Sequence, residues 1–141
     1  MKIIIVGCGK IGTTILASLV AEGHDVTAID ADPAIIEEIT NIYDAIGLCG
    51  NGVDCDVLAE AGVELAELFV AVTGSDELNL LCCTIARKVG GDLAAIARGR
   101  NPDYSRELVY LRQQLGLSMI VTPEMEAARE IARLLANPQA L

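Results

Sequence analysis

A regular alternation of short apolar runs with segments of helical period constrains this chain more than any other feature. Ile3 to Val6 is a β-branched run that stops at Gly7, after which Ile11, Ile15, Leu16, Leu19 and Val20 recur at helical spacing up to Gly23. Val26 to Ile29 reads as the next strand, closed by Asp30. Asp32-Pro33 then opens a helix with a capping carboxylate and a proline at a position whose N–H would be unpaired anyway. Ala45 to Cys49 is a weaker strand, followed by a Gly50-Asn51-Gly52 turn and a short helix near Asp54 to Ala61. The second half repeats the pattern: a strand over Leu68 to Val72, a helix carrying Leu78, Leu81, Cys82, Ile85 and Val89, and a strand over Ala94 to Ala97. A helix opening at Asn101-Pro102 and carrying Leu108, Leu111 and Leu115 comes next, with a strand over Met119 to Val121 and a last helix from Thr122-Pro123. Consecutive parallel strands need a crossover helix between them, so this order predicts one doubly wound α/β domain over residues 1–141. The expected sheet has six parallel strands in the order 3-2-1-4-5-6, with helices on both faces.

Composition fits that architecture. Hydrophobic residues make up 52% of the 141 and charged residues 21%, which argues against disorder. A mean hydropathy of +0.46 raises the question of a membrane segment. The apolar residues are dispersed in short runs, none near the roughly 20 that a spanning helix needs. Short, continuously apolar strands are instead what a sheet covered on both faces requires. Lys and Arg number 10 against 20 Asp and Glu, a formal charge of −10 that disfavours nucleic acid and anionic lipid as partners. Five cysteines without a secretory signal read as reduced thiols in a cytoplasmic protein.

Gly7-Cys8-Gly9-Lys10-Ile11-Gly12 is a G-x-G-x-x-G string with a strand before it and a helix after it. Gly7 permits the tight turn, Gly9 lets main chain approach a pyrophosphate, and Gly12 lets helix and strand pack closely. Asp30 ends the next strand, 23 positions beyond Gly7, close to the spacing of about 20 at which an acid reads ribose hydroxyls. A carboxylate there repels a 2′-phosphate, so NAD(H) or an adenosine nucleotide is favoured over NADP(H). Asp32 is assigned to capping. The strand order reverses between the strands ending at Gly7 and Thr73, which places Thr73 and Gly74 beside the pyrophosphate or ribose. Asn51 is positioned to meet the adenine edge or to serve the turn. Arg98, just past the fifth strand, suits a phosphate.

Groups that perform chemistry are harder to find. His24, the only histidine, falls in a turn at the far end of the first helix, and no Cys/His spacing suits a metal. Cys8 opens a helix, where a thiol pKa tends to fall, which keeps a redox-sensing module as one alternative. A second alternative is an NAD-dependent oxidoreductase or its cofactor-binding half. A cofactor loop without catalytic groups points rather to a sensor that is not an enzyme.

Six segments together carry a resemblance. They are K-I-I-I-V-G-C-G-K-I-G from Lys2, I-D-A-D-P from Ile29, D-V-L-A-E-A-G-V from Asp56, V-A-V-T-G-S-D-E-L-N from Val70, I-A-R-G-R-N-P from Ile96 and V-T-P-E from Val121. Over essentially its whole length the chain resembles the RCK (KTN, or TrkA-N) domain family. The resemblance implies a cytoplasmic, peripheral regulatory subunit that binds NAD(H), or ATP/ADP in some relatives, and gates a Trk-type membrane potassium transporter. It implies nucleotide contacts at Gly7 to Ile11, Asp30, Thr73, Gly74 and Arg98, and assembly as a homo-oligomer of dimers or larger rings. The helix after Thr122-Pro123 is similar to the family's crossover helix, which packs on a partner subunit. Two departures stand out: Asn51 follows Gly50 where many relatives carry Asp, and the family's smaller C-terminal regulatory domain is expected to be absent from residues 1–141.

Overall fold

The computed structural model describes residues 1–99, 110 and 119–121, the last three by their backbone. Strands β1 (Lys2–Val6), β2 (Asp25–Asp30), β3 (Ile46–Cys49), β4 (Leu68–Ala71) and β5 (Ala94–Arg98) alternate with helices α1 (Lys10–Ala21), α2 (Pro33–Ile42), α3 (Cys55–Glu60) and α4 (Asp76–Gly90). They form a parallel α/β sheet of Rossmann type in the order β3-β2-β1-β4-β5. A three-residue β6 (Met119–Val121) registers beside β5, with Arg98 opposite Val121. The helices expected after Asn101-Pro102 and Thr122-Pro123, including the crossover helix, lie outside the described residues.

Strand geometry divides the core in two. Successive side chains point to opposite faces of a sheet, so Ile3 and Ile5 join Ile15, Leu16 and Leu19 of α1 and Ile36 and Ile39 of α2. Ile4 and Val6 face the other way, with Phe69 and Ala71 of β4, Leu58 of α3 and Cys82, Cys83 and Ala86 of α4. Burial of an Ile or Leu side chain contributes about 2 kcal/mol, and Ile3, Ile4 and Ile5 are all completely enclosed. That is why β1 reads as an unbroken apolar run. Among the described residues no helix is long and apolar enough to cross a membrane.

Several strand boundaries differ by one residue from the sequence expectation, and those at the ends of β4 and β5 bear on the cleft. β4 ends at Ala71: Val72 N–H still donates to Val6 O (2.9 Å), but at Gly7 the neighbouring chain turns away. β5 runs one residue further, to Arg98, because β6 extends the register beside it. Arg98 is thus the last residue of a strand rather than the first of a loop.

Candidate functional site

The strand order reverses between β1 and β4, and there the two strand ends touch main chain to main chain. Gly7 adopts a φ of +94°, a conformation that L side chains rarely take. A Cβ on it would lie 2.8 Å from Thr73 N and 2.9 Å from Thr73 Cα. One turn further on, a Cβ on Gly12 would run into the Gly7 carbonyl oxygen, so α1 presses directly on the loop that precedes it. At Gly9 the same position is open space. Gly7 thus makes the turn and Gly12 the close packing of helix on loop, while Gly9 leaves open space beside the main chain.

Gly9 is the N-cap of α1, yet it has no side chain to cap with, and the first turn of this helix carries no acid. The first intrahelical bond runs from Thr13 N–H to Gly9 O (2.9 Å). Lys10, Ile11 and Gly12 therefore belong to the turn whose N–H groups lack an intrahelical acceptor. The other described helices are closed at this end. Asp32 accepts from Ala34 N–H (2.9 Å), Asp54 from Asp56 N–H (2.8 Å) and Ser75 from Leu78 N–H (3.2 Å). Of the four, α1 presents the end best suited to an anion.

Asp30 stands across from this loop and helps to shape it. Its Oδ2 accepts from Cys8 N–H (2.8 Å) and its Oδ1 from Asp32 N–H (2.9 Å). Each oxygen keeps a second lone pair, so the carboxylate can still accept from ribose hydroxyls. The Cys8 thiol overturns one sequence expectation. Rather than being activated by the helix end, it is buried (3% exposed) and directed at Ile29 O (3.8 Å). Burial, with a smaller contribution from the Asp30 carboxylate, pushes its pKa up to about 12. A thiol held protonated to that degree is a poor nucleophile, and the redox-sensing alternative loses its basis.

On the opposite rim, Thr73 and Gly74 form the β4–α4 loop and Arg98 ends β5. Asn51 serves its turn, with Oδ1 accepting from Val53 N–H (3.1 Å). His24 lies in the turn after α1, near Glu22 (3.6 Å), away from the cleft. Asn79 is the residue that sequence reasoning missed. It is completely buried on α4, and its amide binds Thr73 and the Arg98 carbonyl. A signal was available: Asp76, Asn79, Cys82, Cys83 and Ala86 follow helical spacing, and Asn79 is a polar residue on that inward stripe a turn beyond the acid that suits a helix start.

A cleft of about 500 Å³ opens above the glycine loop. Its lining includes Gly7, Cys8, Gly9, Lys10, Ile11, Asp30, Asn51, Thr73, Gly74 and Arg98, which is every residue assigned to the site from sequence except Gly12. Gly12 sits behind the loop as a packing position. Among the described residues no group of three or more His, Cys, Asp or Glu could hold a metal ion.

Sheet order, glycine loop and crevice at the order reversal define a Rossmann-type domain. The chain belongs to the TrkA-N domain family, whose profile matches residues 3–123. It is 35% identical over 139 residues to the Trk system potassium uptake protein TrkA homolog of Methanothermobacter thermautotrophicus, covering 99% of this chain and 62% of that protein. It is 38% identical over 141 residues to the homolog of the same name from Archaeoglobus fulgidus, covering 100% of this chain and 32% of that one. The chain thus spans between about a third and somewhat under two thirds of these relatives. Among solved structures it is similar to the TrkA-N domain of inner membrane protein ybaL from Escherichia coli (TM-score 0.77, 22% identity, 95% of this chain and 96% of that one). The GsuK channel bound to NAD (TM-score 0.72, 22% identity, 85% and 21%) and GsuK bound to ADP (0.71, 21%, 86% and 31%) share the fold.

Proposed function

We propose that this chain is the nucleotide-sensing domain of a cytoplasmic regulatory subunit for a Trk-type potassium transporter. Its ligand is NAD(H), with ADP or ATP as the second choice. The observation that carries this reading is the meeting of ten residues from five separate segments around one cleft, facing the uncapped start of α1. In this reading the α1 amides hold the pyrophosphate, Asp30 accepts from the adenosine ribose, and Lys10 and Arg98 supply positive charge. The relatives' names connect the family with potassium uptake, and the NAD- and ADP-bound GsuK structures are similar in fold.

Sensing follows from linkage. A nucleotide that binds two arrangements of a homo-oligomer with different affinity shifts their populations, and the membrane transporter responds to that shift. The coupling can be no larger than the affinity difference. Domain 1–141 supplies the nucleotide site in this scheme, docked peripherally on the transporter.

Isothermal calorimetry on Asp30→Ala tests the site. The substitution is expected to weaken NADH binding about tenfold or more, as loss of charge-assisted hydrogen bonds does. Unchanged affinity would remove Asp30 from the site and overturn the reading.

A further inference from the structure

Asn79 has no place in the nucleotide contacts just described, yet it is completely buried. A primary amide has two N–H donors and two acceptor lone pairs, and here all four are engaged. Oδ1 accepts from Thr73 N–H (2.7 Å) and from the Thr73 hydroxyl (2.6 Å). Nδ2 donates to Thr73 O (3.2 Å) and to Arg98 O (2.9 Å). No capacity is left over for a ligand, so whatever Asn79 does for binding it does through Thr73 and Arg98.

Its location gives that arrangement a purpose. The last registered pair between β4 and β5 is Ala71 with Ala97. Beyond it the ladder stops, and Thr73 and Arg98 enter the cleft lining. Asn79 takes over where the sheet leaves off, tying the β4–α4 loop to the end of β5. On the opposite rim, at the β2 and β3 ends, Asp30 bonds to Cys8 N–H and Asp32 N–H and Asn51 to Val53 N–H.

We infer that Asn79 is a positioning residue that joins Thr73 and Arg98 into one rigid rim and so sets the preference of the cleft for a dinucleotide over a mononucleotide. The inference rests on the nucleotide reading above and deepens it. With the ribose acid Asp30 on one rim, a mononucleotide such as AMP needs that rim and the glycine loop only. The second half of a dinucleotide must lie along the rim that Asn79 holds. A preformed rim costs less to order on binding than a loose one.

Asn79→Asp is the sharpest test. It keeps the size of the side chain and one acceptor oxygen, but turns a second oxygen toward the Thr73 and Arg98 carbonyls. Calorimetric titration of the 141-residue chain with NADH and with AMP is expected to show NADH weakened at least tenfold and AMP changed less than twofold. Equal losses for the two ligands would make Asn79 a general structural residue and overturn the inference, as would retained NADH affinity. Asn79→Ala, which introduces no repulsion, gives the same comparison should the Asp variant fail to fold. A ligand-free measurement stands beside these. Amide exchange at Thr73 N–H is expected to be slow in the unaltered chain and at least tenfold faster in Asn79→Ala, and a Thr73 amide already unprotected in the unaltered chain overturns the clamp. Failure of the unaltered chain to bind NADH or AMP overturns the nucleotide reading itself and the inference with it, whereas binding of both with no change in their ratio overturns the inference alone.

Discussion

The β1–α1 loop reaches the crevice as main chain, whereas the β4–α4 loop beside it is bound up in side-chain hydrogen bonds. In the first, Gly7 and Gly12 let backbone press on backbone, and the helix that follows has no side-chain cap. In the second, Asn79 engages the Thr73 amide and hydroxyl, and Ser75 caps α4 through Leu78 N–H. Both loops are fixed, the first by glycine packing with Asp30 holding the Cys8 N–H, the second by the side-chain hydrogen bonds of Asn79 and Ser75, and the consequences differ. Shape held by glycine packing leaves the amides at the start of α1 facing outward, ready for an anion. Shape held by hydrogen bonds uses those groups up and returns stiffness instead. One loop is built to receive and the other to brace.

Substitutions can break this contrast, beginning with the largest effect. Gly12→Ala places a methyl group against the Gly7 carbonyl, which is main chain and cannot swing aside. It is expected to destabilise the chain by about 3 kcal/mol, the upper end for an overpacked site, measured by urea denaturation. An unchanged unfolding midpoint would show that the first loop does not depend on close packing. Ser75→Ala on the bracing side removes a cap and is expected to cost about 1 kcal/mol in the same assay. Ser75 does not line the cleft, so NADH affinity should stay the same. A loss of affinity matching the loss of stability would erase the distinction between the loops. Gly9→Ala should affect stability least. Its φ of −70° suits any residue and its Cβ would meet nothing, so a thermal melt is expected to show a change within about 0.5 kcal/mol. Calorimetry should nevertheless show weaker nucleotide binding, because the methyl group enters the space that the phosphates need. A variant equal to the parent in both assays would place the phosphates elsewhere.

Much of this arrangement was legible in the chain itself. The β-branched run Ile3 to Val6, the glycines after it and the acid at Asp30 report local demands: a strand buried on both faces, a turn with positive φ, an acceptor at a strand end. Such demands fix residue types at fixed spacings, so they can be read in one dimension. The roles of Asn79 and the Cys8 thiol depend on contacts that spacing does not reveal. Asn79 reaches Arg98, 19 residues away, and all its partners but the Thr73 hydroxyl are main-chain atoms that leave no trace in residue identity. Cys8 follows the general rule for a helix start until its burial and its approach to the Ile29 carbonyl are known. Asp30 falls between these cases. Its position was plain, while its grip on Cys8 N–H and Asp32 N–H appeared only once the two strand ends were side by side.

The contact between Gly7 and Thr73 has a mechanical corollary. With no side chain between them, the floor of the groove has no cushion that could compress or slide. A bound molecule cannot prise β1 and β4 apart without shearing the sheet at its centre. Any motion it provokes must therefore appear at the outer ends of the groove, as in calipers whose pivot is fixed while the tips travel.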